Sequence, residues 1–126
     1  MMEANIVQQG AKFCGWFDAP FPIGKTDFHL DITSVDDNGY FIGLGSDKQG
    51  NFHVKGSLVG TEVNFVKNYE DGSHTGIQYS GKIEGNIVLG EYTYCFRKYF
   101  LKMDVCEKFW MERVMKWHLL LKNLPM

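Results

Sequence analysis

The feature that most constrains this chain is its row of turn glycines. Gly39, Gly50, Gly60, Gly72 and Gly85 fall 10 to 13 residues apart. Between them the residues alternate in character with a period of two. Phe52, Val54 and Leu58 interleave with His53, Lys55 and Ser57, and Val63, Phe65 and Lys67 interleave with Glu62, Asn64 and Val66. A pleated strand with one buried face requires that period. Regular spacing with no helical segment between the runs excludes parallel βαβ units and predicts an antiparallel meander.

The rest of the chain extends the pattern in both directions. Ala11 to Phe17 reads as a first strand, and Pro20 and Pro22 break the ladder so that Asp18 to Thr26 is expected as a loop. Phe28, Leu30 and Ile32 alternate with His29, Asp31 and Thr33 in a second strand, which Asp36-Asp37-Asn38-Gly39 turns into a third, Tyr40 to Gly45. The fourth and fifth strands are the two alternating runs above. A sixth is expected over Thr75 to Ile83 and a seventh over Ile87 to Cys95. Arg97 to Val105 carries mixed signals and reads as a connection. Glu107 to Val114, where Phe109 and Met111 alternate with Trp110 and Glu112, then reads as the eighth strand.

Eight antiparallel strands are the number that closes into a compact barrel, filled by side chains or holding one small ligand. The expected fold is therefore all-β: an eight-stranded antiparallel meander closed into a small up-and-down barrel, with a short C-terminal helix or arm. Residues 1–10 form an N-terminal extension, 11–114 the barrel and 115–126 the arm. Trp117, Leu120, Leu121 and Leu124 fall on one helical face of that arm, and Pro125 ends it. Phe28, Leu30, Ile32, Phe52, Val54, Leu58, Phe65, Ile77, Tyr79 and Leu89 are the candidate interior, bulky enough to fill a barrel outright.

With Trp16 in Cys14-Gly15-Trp16 near the start and Arg113 in Glu112-Arg113-Val114 near the end, the chain resembles the lipocalin and avidin group of eight-stranded barrels. The resemblance implies a Trp of the first strand stacked under a basic residue of the last, so Trp16 and Arg113 are expected to close the barrel. It also implies a helix after the barrel, where Trp117 to Leu124 sits, and carriage of a small hydrophobic ligand.

The chemistry-bearing residues give few leads. His29 and Asp31 share a strand face, but two ligands are too few for a metal, and no metal or cofactor is expected. No Ser, Cys or Lys has a recognisable base partner, so an enzyme is not expected. Three cysteines, Cys14, Cys95 and Cys106, with no CxxC spacing, point to free thiols in a reducing compartment: intracellular, cytoplasmic, or alternatively mitochondrial. Cys14 and Cys106 would approach each other if the first and last strands pair.

The net charge of −2 hides an asymmetry, with 7 of the 13 basic side chains in the last 30 residues. That is too sparse for nucleic acid, and no apolar run is long enough to span a membrane. Trp110, Met115, Trp117, Leu120, Leu121 and Leu124 make the C-terminal stretch apolar. The expected role is accordingly a non-catalytic interaction module, a small subunit that docks on other proteins through its arm. The alternative is a lipocalin-like carrier of a small hydrophobic ligand, and Lys116 and Lys122 beside the apolar stripe also permit contact with a membrane surface.

Overall fold

Eight strands follow one another in chain order: β1 (Lys12–Ala19), β2 (Gly24–Val35), β3 (Tyr40–Asp47), β4 (Gly50–Val59), β5 (Glu62–Tyr69), β6 (Ile77–Glu84), β7 (Ile87–Tyr94) and β8 (Arg97–Val105). Each pairs antiparallel with the next, and β1 pairs with β8, so the sheet closes into a barrel. The computed structural model describes residues 6–94 and 96–106. Among these there is no helix, and none long and apolar enough to cross a membrane.

The period-two alternation sets which side chains point inward. Phe13 and Phe17 on β1, Phe28, Leu30 and Ile32 on β2, Phe52 and Val54 on β4, and Val63 and Phe65 on β5 are all buried in one core. Of the expected interior set, Leu89 is the exception. On β7 it is Val88 and Tyr92 that are buried, and Leu89 belongs to the opposite face. Ile87-Val88-Leu89 is uniformly apolar, so the run itself carries no parity.

The closing strand differs from expectation. It is Arg97–Val105, where Leu101, Met103 and Val105 are buried and alternate with Lys98, Phe100, Lys102 and Asp104. This period-two pattern was obscured by the turn that precedes it. Every earlier hairpin has a glycine at positive φ, whereas here Phe96 takes that conformation at φ 65°. Such a φ is uncommon for a bulky side chain, so the punctuation that marks the other strands is missing. The eighth strand expected over Glu107–Val114 lies outside the described residues.

The two ends of the barrel differ. Where β1 begins, the chain before it tucks Ile6 and Val7 into the core. Gly10 N–H donates to Ile32 O and Ala11 N–H to Gln8 O at that end. The opposite end is ringed by the β1–β2, β3–β4, β5–β6 and β7–β8 turns and is open. One close approach there depends on glycine: a Cβ on Gly45 would fall 2.5–2.6 Å from the Phe52 ring. Gly45 thereby lets Phe52 lie against β3.

The cysteines correct a further expectation. Closure of β1 on β8 brings Cys14 and Cys106 together as a disulfide, with Cα atoms 5.2 Å apart and 92 residues between them in sequence. Free thiols at these two positions are thus overturned by the very pairing of first and last strands that the barrel demands. Cys95 lies outside the described residues.

Candidate functional site

The open end is built around a buried charge pair. Asp47 is the last residue of β3 and follows Gly43 and Gly45 on the inward parity. Lys67 of β5 stands two residues beyond Phe65 on the same inward face. Lys67 Nζ lies 2.9 Å from Asp47 Oδ2, and the two side chains are 4 % and 0 % exposed. Tyr69 O–H donates to the same carboxylate oxygen at 2.6 Å. The other oxygen accepts the Gln49 backbone N–H at 2.8 Å, which ties the carboxylate to the β3–β4 turn.

Aromatic faces surround the ammonium. The Phe52 ring centroid is 4.2 Å from Lys67 Nζ, Phe17 and Tyr69 are each 4.6 Å away, and Tyr79 is 5.8 Å away. Ring quadrupoles attract a cation at these separations. Burial pulls the Lys67 ammonium below the ordinary lysine value, against the hydrogen bond and charge of Asp47, which hold it up. Burial also raises the Tyr69 hydroxyl well above its usual range, and the Asp47 carboxylate adds to the effect.

Above this pair lies a cup of about 170 Å³, whose wall includes Phe17, Tyr69, His74, Tyr79, Tyr92 and Tyr94, with Phe21 and Ile23 at its rim. Its shape follows from stacking. Phe65, Tyr79, Tyr92 and Tyr99, in register across β5 to β8, form a column with successive centroids 4.7, 4.9 and 5.2 Å apart. Tyr92 O–H donates to Asp18 O at 2.6 Å, across to the end of β1. The Tyr94 hydroxyl is 3.5 Å from His74 Nδ1, and the Tyr69 N–H donates to His74 O at 3.0 Å.

Tyr79 is different. It is 5 % exposed, yet among the described residues its hydroxyl has no hydrogen-bond partner. Burial raises its ionisation above the ordinary tyrosine range, so it is a neutral O–H donor. A buried hydroxyl without a partner carries a desolvation cost of about 1–3 kcal/mol, which a bound acceptor would relieve. Below the cup the barrel is filled. The free space among Phe28, Leu30, Phe52, Val54, Lys67 and Leu101 amounts to about 10 Å³, room for one water at most.

Of the residues singled out in sequence, Trp16 is on the outer wall opposite Lys102. The cation over its indole is Lys25 of β2, 4.8 Å from the ring, and Phe100 lies 5.4 Å from it. Its expected partner Arg113, like Trp110, Met115, Trp117, Leu120, Leu121 and Leu124, lies outside the described residues. Asp47, Tyr69, His74 and Tyr79 were not linked to one another by any motif. One signal was present: the alternation of β5 puts Lys67 on the face of Val63 and Phe65. Among the described residues, the grouping with metal-ligand chemistry is Cys14, His29 and Cys106 on the outer wall, whose ligand atoms lie within 4.8 Å of one another.

No family model matches the chain, and no curated protein or solved structure is significantly similar to it.

Proposed function

We propose that this barrel is a non-catalytic binding protein that takes a small ligand in its open mouth, a shallow variant of lipocalin-like carriage. The observation that carries the reading is the aromatic cup of about 170 Å³, one wall of which is Tyr69, the residue that hydrogen-bonds the buried Asp47 of the Lys67 pair. An apolar cavity of about 150 Å³ accommodates benzene, so the cup suits a single planar ring. The unpartnered Tyr79 hydroxyl offers a donor, so the ring carries an acceptor such as a carbonyl. Replacing the buried pair by apolar residues is often neutral or stabilising in other proteins. Stability alone therefore gives little reason for the pair, whereas through Tyr69, which donates to Asp47 and lines the cup, it orients a polar group of the mouth.

Calorimetric titration with benzamide tests this. Binding at one site is expected, weakened about fivefold in Tyr79→Phe, since one neutral hydrogen bond contributes about 1 kcal/mol. No heat of binding with benzamide or its ring-substituted analogues, or equal affinity in the variant, would remove the cup from consideration.

Docking of a protein partner is a second reading, favoured by a specific observation. Tyr40, Ile42 and Leu44 form an exposed apolar stripe on the outer face of β3. Beside it runs a groove of about 790 Å³ that crosses Lys55, Val66, Gln78 and Thr93. These four follow Ile42 in register around β4 to β7, so the groove lies on the outer wall, away from the cup. The apolar arm over residues 115–126 is the proposed companion of that stripe in an assembly.

A further inference from the structure

We infer that Cys14, Cys106 and His29 form a zinc site that becomes available when the disulfide is reduced. The three side chains come from the two seams flanking β1. Cys14 and His29 are directly opposed in the β1–β2 register. Cys106, just past β8, is fixed beside β1 by its N–H donating to Lys12 O at 2.8 Å. All three face outward: Cys14 and Cys106 are half-buried and His29 is exposed, so solvent and ions reach them.

The geometry fits zinc in particular. Zn–S bonds of about 2.3 Å and Zn–N bonds of about 2.0–2.1 Å at tetrahedral angles place a ligand sulfur and nitrogen about 3.6 Å apart. Cys14 Sγ and His29 Nδ1 are 3.6 Å apart. The other two separations must adjust: the sulfurs part to about 3.8 Å, and Cys106 Sγ and the imidazole, whose ligand atoms lie within 4.8 Å, close to about 3.6 Å in a tetrahedral site. Two thiolates and one imidazole are a borderline-soft set suited to zinc, and water completes the tetrahedron. The neighbouring outward side chains are mixed. Asp104 stands across from Cys14 and Asp31 two residues beyond His29, while Lys12 faces Asp31.

The redox step balances with a dithiol reductant. Its two sulfurs form their own disulfide and give up two electrons and two protons. The Cys14–Cys106 bond takes up both electrons and breaks, and one proton goes to each sulfur. Zinc binding then displaces those two protons, so both thiols coordinate as thiolates. The oxidised protein has no thiolate to offer and holds no zinc at this place. The outer wall near β1 thus presents a covalent staple under oxidising conditions and a metal clasp under reducing ones.

Cobalt titration of the full chain, reduced and then freed of reductant without air, tests the inference. One equivalent of Co²⁺ is expected to give a thiolate-to-cobalt charge-transfer band with the intense visible bands of a tetrahedral site, and one equivalent of Zn²⁺ to bleach them. Cys95→Ser is expected to leave this unchanged. Loss of an outer-shell partner already weakens metal affinity by about 10–100-fold, so His29→Ala, which removes a direct ligand at an exposed position, should weaken it by more. Circular dichroism of that variant should match the parent. The inference is overturned if reduced protein shows no stoichiometric tetrahedral cobalt spectrum, if oxidised protein shows the same spectrum, or if His29→Ala binds with unchanged affinity.

Discussion

Removing the Lys67 ammonium strands the carboxylate of Asp47, and the cost can be worked out from the structure. In Lys67→Met the Asp47 side chain, 0 % exposed, keeps only the Tyr69 hydroxyl and the Gln49 N–H. Its buried charge is then left without a counter-ion. Breaking a buried pair in this way typically costs about 3–5 kcal/mol. The rings that faced the ammonium are a smaller consideration. Cation–π contacts of about 0.5–2 kcal/mol are lost, but a thioether among Phe17, Phe52 and Tyr69 regains about 0.3–1.5 kcal/mol per contact. The charge effect therefore dominates.

Asp47→Asn is expected to cost a similar amount, because it leaves the buried Lys67 ammonium without its counter-ion. The double variant leaves neither charge unpaired. Its cost should fall well below the sum of the two singles, with a coupling energy of about 3 kcal/mol or more by urea denaturation. Single variants that each cost under about 1 kcal/mol, with additive effects, would refute the buried pair.

Two further predictions concern ionisation and the outer wall. Tyr69, Tyr79 and Tyr92 all have hydroxyls raised above the ordinary range, chiefly by burial. A raised folded value gives stability that is complete below the unfolded value near pH 10 and is lost as pH rises towards the folded value. By pH 11 the three together should forfeit about 4 kcal/mol, with tyrosinate absorbance from them appearing only as circular dichroism is lost; full tyrosinate absorbance in still-folded protein would contradict this. Lys67 acts in the opposite sense, its lowered folded value costing stability as pH falls through it. On the outer wall, Ile42→Glu with Leu44→Lys should leave the unfolding midpoint nearly unchanged and abolish any self-association seen by sedimentation; retained association would discount the stripe.

Much of the architecture could be read from residues alone, because alternation and turn glycines are local. The parity of β2, β4 and β5 followed from single runs such as Phe28-His29-Leu30-Asp31-Ile32. What failed was also local in cause. β8 is hard to read because its entry turn uses Phe96 where the other turns supply glycine, and Leu89 has no readable parity because its run is apolar at every position. The site was harder. Lys67 was on the inward face by simple counting, but its partner Asp47 is 20 residues away. As the first residue of a tight turn, Asp47 has an ordinary reason to be aspartate. Only the pairing of β3, β4 and β5 shows that one carboxylate serves both the turn and the lysine. The cysteine pair depended likewise on which strand closes the barrel.

The mouth between the β1–β2 and β5–β6 turns is proposed to receive a small ring. Intermolecular nuclear Overhauser effects between bound benzamide and isotope-labelled protein test it most directly. Contacts are expected from the ring protons to Tyr69, Tyr79 and Tyr94 and to the His74 imidazole, with none to Ile42 or Val66 on the outer wall. Contacts confined to the outer wall, or none at all at saturating benzamide, would contradict it.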